Sequence, residues 1–424
     1  MLRPMARAVL DGEVLIVGGG MVGLTLAAAL GGAGLAVTLV DAAPEESRLD
    51  PGYDGRASAI AHGSQRMLAA IGVWQRLAGE AQPILDIRVS DGDDRGRVSS
   101  FFLHYDHREL AGETGEAPPF GHIVENRTIR RALLTRLAAL PAVTLFAGQR
   151  LEATARDEDR VTARLADGRA LVAPLLVAAD GRQSPLRQAA GIGVTSWAFP
   201  QTSLVCTVGH EYPHHGVAHE HFLPAGPFAL LPMTDDAEGH RSSLVWTERE
   251  SLADAVLGLG DAAFAGELRR RFGDSLGRLA VHGRRWAYPL GLLHAARYID
   301  RRLALIGDAA HAIHPIAGQG LNLGWRDVAA LAEAVVDARR LGLDIGQAPV
   351  LERYQRWRRF DNVLLASVTD GLNRLFSNDL APLRLARDLG LAAVNRLAPL
   401  KRFLMRDAMG ITGELPRLVK GEAL

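Results

Sequence analysis

One cysteine, Cys206, stands in 424 residues, so the chain cannot hold a disulfide framework of its own. That excludes the small stapled scaffolds of oxidising compartments and fits the reducing cytoplasm. Lysine is nearly as scarce, with only Lys401 and Lys420, and arginine supplies almost all of the positive charge. Basic and acidic residues balance at 48 each, which removes the one-signed field a nucleic-acid surface needs. No separate apolar core follows Arg3 and Arg7, so no signal peptide is expected. The uncharged stretch Val14–Val40 is long enough to span a bilayer by count. Its seven glycines and its change from strand-like to helix-like spacing point instead to a buried β-α-β unit.

What remains is the composition of a well-buried enzyme-like body, 48% hydrophobic and 23% charged, long enough for two domains. Val14–Val17 reads as a strand, Met21–Leu30 as a helix and Ala36–Val40 as a second strand ending in Asp41. Between the first two lies Gly18-Gly19-Gly20-Met21-Val22-Gly23, a G-x-G-x-x-G in the context that makes it informative. Gly18 permits the tight turn, Gly20 lets the backbone approach a pyrophosphate, and Gly23 lets helix pack on strand. Asp41 sits at the distance of a carboxylate that holds ribose hydroxyls.

Further along, Arg56 follows a polar loop, and Asn126–Leu140 reads as a helix whose start carries Arg127. An apolar strand, Leu171–Ala178, runs into Asp180-Gly181 with Ser184, Pro185 and Arg187 close behind. Short strands at Leu204–Val208, Val217–Phe222, Phe228–Pro232 and Ser242–Trp246 predict a mostly antiparallel sheet. His214, His215, His219 and His221 fall among them, but Pro213 and Gly216 oppose the helix that a zinc pair at i and i+4 needs, so no metal site is expected. Leu252–Phe272 reads as one helix.

The most informative stretch is Arg302–Asp327. A buried strand, Leu303–Ile306, stops at Gly307-Asp308, and a loop carrying Pro315, Gly318 and Gly320 enters a helix at about Leu321. A glycine-rich loop opening a helix gathers bare N–H groups and a positive dipole end, a site for an anion. Asp308 then accepts hydrogen bonds from hydroxyls of the same ligand. Beyond this, Leu351–Phe360, Val363–Phe376 and Leu383–Phe403 look amphipathic. Packing against the body is the first reading of this tail, and peripheral contact with the inner membrane or a lipid-binding partner is the second. No cofactor loop lies after Asp379, so deleting that region is expected to leave the cofactor bound.

Gly18-x-Gly20-x-x-Gly23, Asp180-Gly181-x-x-Ser184-x-x-Arg187, and Gly307-Asp308 with Gly320-Leu321-Asn322 resemble the three fingerprints of FAD-dependent aromatic monooxygenases of the p-hydroxybenzoate hydroxylase fold. His311 and the run from His314 to Gly324, with Asp54-x-Arg56-Ala57, Val124-Glu125-Asn126-Arg127 and Ala408-Met409-Gly410, resemble the ubiquinone-biosynthesis hydroxylases of the UbiH type. The resemblance implies an α/β architecture, α+β taken as a whole. A Rossmann-like FAD-binding domain would comprise residues 1–75, 118–182 and 286–345, an antiparallel substrate domain 76–117 and 183–285, and a helical C-terminal region 346–424.

It also implies that Gly18, Gly20 and Gly23 hold the FAD pyrophosphate and Asp41 the adenosine ribose. Arg56 and Arg127 would lie beside the cofactor, and Asp180 and Gly181 would serve both FAD and a transiently bound NAD(P)H. Asp308 would take the ribityl chain; Pro315, Gly318, Gly320, Leu321 and Asn322 would form the loop at the flavin ring edge. The reaction implied is hydroxylation of a polyprenylated phenol or methoxyphenol by O2 through a flavin hydroperoxide, with a quinone-biosynthesis complex as partner. The flavin carries that chemistry, and no catalytic side chain stands out. The alternatives are an isoprenoid reductase or halogenase on the same fold, and a non-catalytic flavoprotein scaffold.

Overall fold

The computed structural model describes residues 9–44, 49, 56–92, 98–111, 117–313, 318–376 and 394–424. Asp54, His314 and Pro315, singled out above, lie outside the described residues.

The first half of the chain alternates buried β-branched runs with helices, a pattern that yields a parallel sheet covered on both faces. Five parallel strands lie in the order Val143–Ala147, Val37–Asp41, Val14–Val17, Leu175–Ala178, Leu303–Leu305, and antiparallel Ile299–Asp300 closes the edge. Numbered along the chain, those five run 3-2-1-4-5, the order of a dinucleotide-binding sheet. Helices Met21–Gly32 and Gly320–Arg340 pack together, and Trp325 Nε1 donates to Thr25 Oγ1 at 2.9 Å between them. Gly324 marks the crossing, where a Cβ would come within 2.7 Å of Val22.

The expected strand Leu171–Ala178 is two strands. Pro174, which cannot donate to a ladder, separates Ala170–Ala173 from Leu175–Ala178, and the two halves join different sheets. Likewise Leu252–Phe272 breaks into Glu250–Leu257 and Asp261–Phe272, with Gly258 and Gly260 at the junction.

The antiparallel sheet is larger than four short strands. Eight strands run in the order His311–Ala312, Leu279–Ala295, Val194–His210, Gly239–Arg249, Gly226–Asp236, Val217–Leu223, Asp86–Gly92, Val98–Asp106, with one parallel pair between Val217–Leu223 and Asp86–Gly92. Its back face packs Leu204, Phe228, Leu230 and Trp246 on the helix Asp261–Phe272. His219 and His221 are on that back face against Phe272, with ring centroids 5.1 and 5.6 Å away, and Ser90 Oγ lies 2.6 Å from His221 Nδ1. Burial pushes His219 down to about 3 and His221 to about 4, so both are neutral side chains of a core.

The C-terminal region is not an appendage. Helix Ala348–Phe376 lies along Gly320–Arg340, Leu418 and Val419 enter the main core, and Met405 and Met409 fill a second core with Ile84, Phe120 and Phe222. This is the packing against the body given above as the first reading of the region, and a deletion from Asp379 onward would empty parts of two cores.

Candidate active site

All three sequence loops leave the carboxyl ends of adjacent parallel strands: Gly18 to Gly20 after Val17, Ala179 to Gly181 after Ala178, and Gly307 to Ala309 after Leu305. Ligands of open parallel sheets bind at that end. The loops touch because the residues forbid anything bulkier. At Gly18 the backbone has φ 108°, and a Cβ would lie 2.1 Å from the carbonyl of Ala179; at Gly23 a Cβ would lie 1.9 Å from the carbonyl of Gly18. Arg187, buried in the second loop, donates from Nη1 to Ala309 O at 2.8 Å and from Nη2 to Arg182 O at 2.8 Å, pulling the second loop onto the third.

A cavity of about 590 Å³ opens where these loops face the front of the eight-stranded sheet. Of the residues expected to hold the cofactor, Gly20, Arg56, Gly181, Asp308, Gly318, Gly320, Leu321 and Asn322 line it. Gly18 and Gly23 stand behind the lining and shape the turn. Asp41 is tied to the same turn, since its carboxylate accepts from the N–H of Gly19 and, at 2.8 Å, from that of Ala43. Asp180 turns away: Oδ2 accepts from Leu186 N at 3.2 Å, while Oδ1 is buried without a hydrogen bond, and burial holds its carboxyl above the usual range. Arg127 leans toward Glu125 at 3.8 Å and does not line the cavity. Instead Asn126 and Arg130, four apart on one face of helix Asn126–Ala138, do. That i, i+4 spacing was the available signal.

Asp308 presents its carboxylate to the cavity although protein surrounds it closely. That surrounding mass raises its proton affinity, opposed by His311, Arg182 and Arg56. Asn322 holds rather than reaches. Its Oδ1 accepts from Ala61 N at 2.9 Å, and its Nδ2 donates to Ala59 O at 2.8 Å and Gly318 O at 3.3 Å. The side chain thus acts as a strand partner for Ala57–Ala61 and fixes the N-terminus of helix Gly320–Arg340. Behind this, fully buried Asp327 accepts from Gly307 N at 3.0 Å and Arg358 Nε at 3.0 Å and pairs with His311 Nε2 at 2.5 Å. Those partners outweigh burial and hold its carboxyl below the usual range. This network escaped the sequence reading, because nothing in local spacing joins Asp327 to Arg358.

The cavity fits an extended anionic dinucleotide. A Cβ at Gly20 would meet nothing within 4 Å, so open space faces the uncapped N–H groups of helix Met21–Gly32. Helix Gly320–Arg340 offers a second uncapped N-terminus, with no acid in its first turn. Arg56 lies 4.7 Å over the ring of Tyr288 at the sheet side. A second depression, about 380 Å³ and lined by Thr154, Arg156, Asp300 and Arg301, contains none of the loops.

Sheet order, glycine turn and paired helix N-termini define a dinucleotide-binding protein. The FAD binding domain family matches residues 11–358. The chain is 54% identical over 415 residues to the ubiquinone hydroxylase UbiL of Rhodospirillum rubrum, covering 97% of this chain and 93% of that protein. It is 37% identical over 401 residues to the 3-demethoxyubiquinol 3-hydroxylase of Escherichia coli, covering 94% and 98%. The solved p-nitrophenol 4-monooxygenase PnpA of Pseudomonas putida DLL-E4 shares the fold with a TM-score of 0.77 at 22% identity, over 96% of this chain and 99% of that one. The chain belongs to the FAD-dependent aromatic-ring monooxygenases, in the group of the ubiquinone-biosynthesis hydroxylases.

Proposed function

We propose that this enzyme hydroxylates the aromatic ring of a polyprenylated phenol or methoxyphenol, using NAD(P)H and O2. The observation that carries the reading is the two-sided cavity. It is lined by backbone N–H groups, Arg56 and Asp308 at the loops, and by Ile84, Ile87, Phe120, Leu231 and Leu290 on its apolar walls. FAD bound there would supply the oxygen-activating chemistry. Gly20 with the helix at Met21 would hold its pyrophosphate, Asp41 its ribose, and Asp308 its ribityl hydroxyls. Gly318, Gly320 and Leu321 would meet the ring edge where charge accumulates on reduction, positioned by Asn322. Arg56, Arg130 and Gly181 would flank the cofactor, and the sheet would exclude water from the reacting face.

The apolar substrate supports a further proposal, that the enzyme works at a membrane surface or beside a lipid-binding partner. Helix Ala398–Ala408 packs inward through Lys401 and Met405 and presents Leu400 (42% exposed) and Phe403 (57%) outward, beside the exposed Arg402 and Arg406. No helix among the described residues is long and apolar enough to cross a membrane. The deciding experiment is the absorption spectrum of the purified protein, then NAD(P)H oxidation with candidate phenols and mass analysis of the product. A flavin spectrum with phenol-dependent oxidation and a product heavier by one oxygen is expected. A reduced prenyl chain or a halogenated ring would refute the assignment.

A further inference from the structure

The front face of the eight-stranded sheet carries one carboxylate into the cavity, and we propose that it is the proton acceptor for the substrate hydroxyl: Glu220. The inference rests on the reading above, that the substrate is a phenol. In strand Val217–Leu223, His219 and His221 point to the back against Phe272, so Ala218 and Glu220 point to the front. The ladder confirms the side. Glu220 pairs with Ala229 and with Val89, Ala229 with Val245, and Val245 with Val205. Ala229, Val245 and Val205 line the same cavity, so the carboxylate stands in an apolar row beside a residue as small as alanine.

Asp308 is the other carboxylate on the described lining, and it belongs to the loop side. Among the described residues, the other charged or titratable ones lining this space are Arg56, Arg130, Arg182, His219, His311 and Tyr288, and the ring of His219 packs against Phe272. Asp91 shares the front face, opposite Phe222, but does not line the cavity.

Chemistry calls for such a group on the substrate side. A phenol holds its proton until about pH 10, and an ordinary carboxylate does not take it in the ground state. As an electrophilic oxygen adds to the ring, the ring becomes electron-poor and its hydroxyl strongly acidic. The O–H bond then breaks, its electron pair stays on the phenolic oxygen, and the proton passes to Glu220. O2 supplies the inserted oxygen atom as its O–O bond breaks, the second oxygen atom leaves as water, NAD(P)H supplies the two electrons, and the ring C–H proton is lost as aromaticity returns. General-base assistance of this kind is worth about 10²–10⁴-fold.

The test uses holoenzyme, a phenol with a short prenyl chain, and its ring-fluorinated analogue, which ionises at lower pH. Glu220→Gln should keep the flavin spectrum and bind the phenol within about threefold, while kcat falls by about 10²–10⁴-fold. The loss should shrink on the fluorinated phenol, which needs less help, and the variant's rate should climb with pH as free phenol ionises. Glu220→Asp should recover part of the rate. Equal loss on both phenols, a kcat within about threefold of wild type, or loss of FAD would each overturn the role. Wild-type enzyme that hydroxylates neither phenol would refute the functional reading itself, and this inference with it.

Discussion

At Asp308 an exposed carboxylate faces the cavity, and the protein massed around that cavity raises its proton affinity, so in the free protein its charge carries a cost. Hydroxyl donors from a bound ligand would relieve that cost, and a charged hydrogen bond is worth about 1.5–3 kcal/mol. Asp308→Ala is therefore expected to weaken FAD binding by about 10–100-fold while leaving the melting temperature of the apoprotein unchanged or raised; titration of apoprotein with FAD, beside a thermal scan, reads both. Histidines set a second prediction. His221 stays neutral in the fold down to about 4, whereas in the unfolded chain it protonates near 6.5. The unfolded state then binds more protons below 6.5, so stability falls as pH drops from there toward 4. Replacing the imidazole, His221→Gln, should flatten that slope in denaturant titrations at several pH values. An unchanged slope would locate the acid sensitivity elsewhere.

Elements meet at this site through side chains that imitate backbone. Asn322, 1% exposed, replaces a neighbouring strand for Ala57–Ala61 and ties it to the start of helix Gly320–Arg340. Asn322→Ala leaves the N–H of Ala61 and the carbonyl of Ala59 buried and unpaired, at about 1–3 kcal/mol of stability. Because the same helix start borders the cavity, bound FAD should become more mobile as well. Flavin fluorescence anisotropy would fall in the variant, and an anisotropy equal to wild type would show the clamp to be unconnected with the cofactor.

On the scale of the whole molecule, the tail closes the cavity rather than trailing from it. Ala408 lines the space, its carbonyl lies 3.4 Å from Gln319 Nε2, and Met409 O accepts from Gly63 N at 2.8 Å. The outer face of helix Ala398–Ala408 is spare. Leu400→Ser with Phe403→Ser removes its apolar side chains without touching either core, so the fold and flavin content should hold. Turnover of a long-chain phenol presented in anionic vesicles should drop severalfold, with a short-chain phenol in solution unaffected. An equal drop for both substrates would mean that this face has no part in substrate delivery.

Local chemistry determined the three loops that border the cavity. A strand followed by Gly18-Gly19-Gly20, a strand ended by Asp180-Gly181, and a strand ended by Gly307-Asp308 are short-range patterns, legible because turns, bare helix ends and burial act over a few residues. Dinucleotide binding and the parallel sheet followed from them, and the FAD class from the resemblance of those loops to known fingerprints. Tertiary structure alone decided the rest. Asp327 and Arg358 meet across 31 positions, the Leu171–Ala178 run divides between two sheets at Pro174, and Arg130 rather than Arg127 faces the cavity. Glu220 gains its place only when strand alternation is combined with a sheet whose front covers the loops. Those outcomes depend on packing between segments far apart in the chain, where many pairings satisfy the same local pattern and the buried contacts select one.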